Sequence, residues 1–196
     1  MNEKDKILLQ DSALIVADGI VSNIAGLNIA WGLSKALYGS GIKLREKRAL
    51  EWVETIKDNP NIFTKNILCS QNFQDGFVYA FEKFIKERNN EKRKIIKNIF
   101  LGFSKSKDLE NFELERFINI ASLLSIKDFR WLSGSQYASS EEEKKYYKNA
   151  LAILISLGII ELNDIYNSTD VNRLKDPALA FDLTDFGEEL RKFIEK

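Results

Sequence analysis

The sequence predicts a mainly α protein: a helical bundle that closes on a C-terminal winged-helix-like element with two short antiparallel strands. Three observations predict it. Apolar residues recur at i, i+3, i+4 and i+7 through residues 42–124, the period of a helix with one buried face. That period gives way to alternation at 159–163 and 178–183, the period of a strand. Proline is scarce, at 2 in 196 residues, so little interrupts a long helix.

Taken in order, residues 7–38 form an apolar opening segment, in which Asp18 is the only charge between Ser12 and Ser34. Its glycines at 19, 26 and 32 weaken a helix, each costing about 1 kcal/mol against alanine. They also let neighbouring helices approach closely. Gly39-Ser40-Gly41 reads as a stop. Residues 42–58 predict an amphipathic helix with Ala49, Trp52, Val53 and Ile56 on one face, ended by Asp58-Asn59-Pro60-Asn61. Two Phe-rich helices follow. One aligns Phe77, Phe81, Phe84 and Ile85, the other Ile96, Ile99, Phe100 and Phe103, with a turn at Asn89-Asn90 between them. Residues 109–124 align Leu114, Phe117, Ile118, Ala121 and Leu124.

Ser125-Ile-Lys-Asp128 has the spacing of a capping box and opens a short helix through Trp131. Gly134 to Ser140 is polar, and the boundary between a body, 1–133, and a tail, 134–196, is expected there. Ser140-Glu-Glu-Glu143 is a second capping box, opening a helix to Leu157 that Gly158 should terminate. A strand at 159–163, a polar loop at 164–177, a strand at 178–183 and a helix at 185–195 capped by Thr184 complete the chain. Trp52, Phe81, Phe100, Phe117, Leu154 and Phe193 are expected in the core.

Composition excludes more than it assigns. There is no histidine, which removes Ser-His-Asp and Cys-His catalysis and His-ligated zinc. One cysteine, Cys69, allows no internal disulfide. That fits a reducing, cytoplasmic setting. Cys69 follows an apolar run and is expected to be buried. Carboxylate pairs such as Glu110 with Glu113 occur in any helix-rich chain. No glycine-rich phosphate loop is present. No catalytic residue, cofactor or metal is therefore assigned, and a non-enzymatic role is expected. The 29 basic residues balance 29 acidic ones, whereas a dedicated nucleic-acid binder carries a basic excess.

Two features remain as candidate sites. A basic band holds Lys83, Lys86, Arg88, Lys92, Arg93, Lys94 and Lys97, and continues to Lys105 and Lys107. It could take an anionic ligand, but charge runs of this kind more often mark the solvated faces of amphipathic helices. The second is the apolar segment with Asp18, Gly19, Gly26, Trp31 and Gly32. Residues 12–34 are long enough to span a bilayer. Against that, Asp18 would cost about 2.5–3.5 kcal/mol at its centre. Burial in the bundle or in a homomeric contact is the favoured reading.

The tail, with "LGII" at 157–160 and "FDLTDFG" at 181–187, resembles the end of a winged-helix domain. The Gly-rich start and helical body ahead of it make the whole layout similar to small bacterial proteins of the abortive-infection alpha type. That resemblance implies a helical protein associated with phage resistance and transfers no catalytic residue. In DNA-reading winged helices the helix before the wing carries Arg, Lys, Asn or Gln. Here that helix opens with Glu141, Glu142 and Glu143 and turns apolar. The expectation is an interaction or effector protein with a protein partner or a second copy of itself. A winged-helix regulator on DNA and a membrane-acting protein through 12–34 are the alternatives.

Overall fold

A computed structural model of the chain describes residues 15, 17–24, 27–106, 108–110, 112–133, 150–162 and 181–195. Helices dominate, and one pair of short antiparallel strands forms the sheet among the described residues. The chain divides into two compact units, Met1–Ser122 and Leu123–Lys196. The polar loop 134–140, the capping box at Ser140–Glu143, the acidic helix start and the wing loop 164–177 lie outside the described residues.

In the first unit, residues 17–22 are helical and are followed by α1 (Leu27–Leu44), α2 (Glu46–Lys57), α3 (Lys65–Leu68), α4 (Gln71–Lys86) and α5 (Asn90–Lys105). Most of α6 (Leu114–Leu123) belongs here too. The central element is α4, against which α1, α2 and α5 all pack. Its buried face carries Phe73, Phe77, Ala80, Phe81, Phe84 and Ile85, the i, i+3, i+4 set that the sequence aligns. Ser70 caps its start by accepting the Phe73 amide, and Asn89 caps α5 by accepting the amides of Glu91 and Lys92.

Aromatic rings fill the centre. Trp52 has its ring centroid 4.6 Å from Phe100 and 5.0 Å from Phe84. Tilted and edge arrangements of this kind add about 0.5–1.5 kcal/mol per pair beyond burial. Gly76 belongs to this packing. A Cβ there would stand 2.6 Å from Phe103 Cε1, so the missing side chain is what admits the Phe103 ring against α4.

The second unit contains α7 (Ile126–Leu132), a helical stretch at 150–156, β1 (Ile160–Leu162), β2 (Phe181–Leu183) and α8 (Asp185–Ile194). The Ser125–Asp128 capping box is formed in both directions. Gly158 has φ 67° and ends its helix in a Schellman motif. Ile159 N donates to Leu154 O, and Gly158 N to Ile155 O, both at 2.9 Å. Leu154 and Ile159, the apolar pair that accompanies this motif, are fully buried. β1 and β2 pair antiparallel, Ile160 opposite Leu183.

The "LTDFG" tail has a structural cause. Thr184 accepts the Gly187 amide at 3.0 Å and donates its hydroxyl to Gly158 O at 2.7 Å. One side chain thus caps α8 and ties it to the preceding helix end. A Cβ on Gly187 would lie 2.1 Å from Ile159 O, so only glycine lets α8 sit this close.

All six expected core residues, Trp52, Phe81, Phe100, Phe117, Leu154 and Phe193, are buried. Four other expectations are corrected. Gly39-Ser40-Gly41 is not a stop, because α1 continues to Leu44. α1 packs against α4, and tertiary contact outweighs weak local propensity in most protein helices. The break falls at Arg45, with φ −135° and ψ 33°, so the following helix starts at Glu46 and not at 42. Cys69 is exposed, not buried: it is the C-cap of α3, whose single turn sends Leu68 inward instead. Within the chain, Gly19 and Gly32 have no close neighbour, since a Cβ at either would meet nothing within 4 Å. Gly26 lies outside the described residues. Close approach belongs to Gly76 and Gly187.

Candidate functional site

The N-terminal segment is only partly buried within the chain. The helical stretch from 17 ends in a turn and bend at Asn23-Ile24, and α1 begins afresh at Leu27. Asp18 joins the two pieces. Its Oδ1 accepts Trp31 Nε1 at 2.7 Å, and Lys35 Nζ lies 3.0 Å from both carboxylate oxygens. Burial pushes the Asp18 carboxyl up. The hydrogen bonds from Trp31 and Lys35 and the charge of Lys35 outweigh it and hold the group below its ordinary value.

Around this clasp, α1 has two apolar faces. Leu27, Ala30, Trp31 and Ser34 turn inward and are buried. Ile29, Gly32, Leu33 and Ala36, again at i, i+3, i+4 and i+7, turn outward. Ile29 is 48% and Leu33 43% exposed, and Ile15 on the preceding stretch is 68% exposed. Among the described residues no helix is long and apolar enough to cross a membrane.

The clasp predicts a modest pH effect with a definite sign. A carboxyl whose folded pKa is depressed contributes stability above its unfolded pKa, about 3.9. That stability is lost as the pH falls through the folded value. Asp18→Asn should therefore cost under about 1 kcal/mol at neutral pH. Its thermal midpoint should converge on the wild-type value below pH 4. Asp18→Leu should cost more, about 1–3 kcal/mol, because the Trp31 N–H then loses its acceptor. Melting curves from pH 3 to 7 for the three proteins check this. A gap between wild type and Asp18→Asn that widens in acid would contradict it.

The basic band divides once its neighbours are known. Lys83 stands 5.3 Å above the Tyr79 ring and reaches Asn119 Oδ1 at 3.3 Å. Lys86 pairs with Glu82 one turn away. Lys92 donates to Ser122 O at 2.8 Å, and Lys97 pairs with Glu51 at 3.2 Å. Arg93 donates to Glu87 O at 3.4 Å and Arg88 O at 3.3 Å and also bonds Asn90. Arg88 and Lys94 are exposed. Lys107 lies outside the described residues.

One residue that reading along the chain missed joins this band. Arg48 on α2 donates to Ile85 O at 2.8 Å, so it and Arg93 both cap the carbonyl end of α4. Burial lowers the Arg48 pKa, and so do the charges of Arg93, Arg45 and Arg88, while Glu87 opposes them. Helical period alone places Arg48 away from the buried face of α2. Only the packing of α2 on α4 brings Arg48 to the carbonyl end of α4.

In the second unit the helical stretch at 150–156 exposes Ile153 and Ile155, at 50% and 43%. Such side chains make apolar contacts and read no base edge beyond a thymine methyl. Among the described residues no group of three or more Cys, Asp or Glu could hold a metal ion. No protein-family model, no curated protein and no solved structure matches the chain.

Proposed function

We propose that the protein is a non-enzymatic interaction or effector protein that self-associates through the outer face of α1. One observation carries this reading: α1 is apolar on both sides, and a helix of that kind belongs in an interior. Its inward face is covered by α4, which leaves Ile29, Gly32, Leu33 and Ala36 for another surface. A second copy of the chain suits that face. Asp18 and Lys35 beside it pair with each other, and the formal net charge is zero, so net charge does not oppose the association of two copies. A twofold axis across this face lets one patch serve both partners. The similarity in layout to abortive-infection proteins makes phage resistance in the bacterial cytoplasm the proposed setting.

Light scattering on the full chain should give a dimer at tens of micromolar, and Leu33→Glu should give a folded monomer. A wild-type monomer at that concentration refutes the self-association. In cells expressing the protein, wild type should lower phage plating efficiency and Leu33→Glu should not. Equal plating would separate the phage role from the dimer.

A further inference from the structure

The surface around the outer side of α1 is apolar but not featureless. Between Ile15 and Ala36 the chain holds one acid, Asp18, and one base, Lys35. The two side chains are 45% and 44% exposed and pair with each other at 3.0 Å. They are not held alike. Trp31, itself buried, donates its Nε1 to Asp18 Oδ1 at 2.7 Å, so the carboxylate keeps its place whichever lysine it meets. Lys35 carries its ammonium on a flexible four-carbon stem. It stands three residues after Gly32 and one before Ala36, at the edge of the apolar stripe.

A contact about a twofold axis sets residue i of one copy against residue j of the other, and j against i. A patch with one acid and one base is therefore complementary to itself. Two copies can exchange lysines, each Asp18 keeping its Trp31 bond and taking Lys35 of the second copy. We infer that Asp18 and Lys35 form two reciprocal ion pairs across the twofold axis and are the residues by which one copy selects another. The inference rests on self-association through the outer face of α1 and adds how that face recognises its partner. Exchange replaces one half-exposed pair per chain by another, so it changes affinity little. Its effect is on selectivity: it fixes the register of the two copies and penalises a surface that presents a like charge at either position.

Charge reversal in mixtures of the full chain tests it. Asp18→Lys leaves two cations on the patch, and Lys35→Glu leaves two anions. Alone, each variant should dimerise about tenfold or more weakly than wild type, since like charges then face each other across the axis. Mixed in equal amounts, with one of them isotope-labelled, they should form the heterodimer in about tenfold excess over either homodimer by native mass spectrometry. Circular dichroism melts establish that each variant is folded. Should Asp18→Lys fail to fold, Asp18→Asn keeps an acceptor for Trp31 Nε1, and its mixture with Lys35→Glu should show the same preference in smaller degree. A wild-type monomer at tens of micromolar removes the contact itself and this inference with it. A wild-type dimer whose variants dimerise as strongly as wild type and mix in statistical proportion leaves self-association standing and overturns the reciprocal pairs.

Discussion

Trp52→Ala should unfold the first unit more readily than any surface change, at a cost of about 3–5 kcal/mol. Trp52 is fully buried and its ring meets Phe77, Phe81, Phe84 and Phe100. These residues come from two further helices, α4 and α5, so the cavity left by alanine lies where α2, α4 and α5 meet. Collapse into it would require two helices to move together, which places the loss toward the upper end of that range. Urea denaturation followed by circular dichroism measures it. Leu123→Ala is the control: that side chain is 71% exposed, and its loss should stay within about 0.5 kcal/mol. Trp52→Phe refines the reading. The indole N–H has no hydrogen-bond partner among the described residues, so phenylalanine removes a buried unpaired donor while keeping most of the ring. Its cost should be well below that of alanine. A Trp52→Ala loss under 1 kcal/mol would mean that the aromatic cluster is not the centre of the unit.

Gly187→Ala should be the most damaging single methyl in the second unit, at about 3 kcal/mol or more. The added Cβ meets a backbone oxygen, Ile159 O, at 2.1 Å and its carbon at 3.1 Å. A side chain can rotate away from such a contact, but a carbonyl already accepting the Thr184 amide at 3.1 Å cannot. Relief would require α8 to lift, which would strain the Thr184 cap and uncover Leu190 and Phe193. Gly76→Ala is milder in kind, because the obstacle is the edge of the Phe103 ring at 2.6 Å, and about 1–3 kcal/mol is expected. Gly32→Ala is expected to go the other way. Nothing lies within 4 Å of its Cβ, and alanine is the better helix former by about 1 kcal/mol. Thermal melts of the three variants should therefore rank Gly187→Ala lowest and Gly32→Ala above wild type. A Gly187→Ala protein as stable as wild type would mean that α8 does not seat as described.

Elements whose causes are local were legible in the sequence. The faces of α2, α4, α5 and α6 follow from spacing within one or two turns. The caps at Ser125 and Thr184 and the stop at Gly158 follow from side chains or backbone freedom within three residues. The core aromatics follow from those faces, because an apolar stripe has to be covered. Histidine's absence limited the chemistry without reference to any fold.

What the sequence could not settle depends on partners far along the chain. Asp18 is explained by Trp31 and Lys35, 13 and 17 residues away. Arg48 is explained by Ile85 O, 37 residues away, and no periodicity points to it. Glycine roles were misassigned for the same reason. Gly19 and Gly32 stand in the apolar segment that suggested close packing, yet Gly76 and Gly187 are the ones with Phe103 and Ile159 against them. Gly39-Ser40-Gly41 carries a local stop signal worth a few kcal/mol at most, and α1 nevertheless runs through it to Leu44. The sequence by itself thus determined the kind of elements and their inward faces, which depend on interactions within a turn or two. Tertiary structure alone decided where α1 ends, which glycines are indispensable, which arginines converge and which apolar face stays uncovered, because each depends on which helices cross and where.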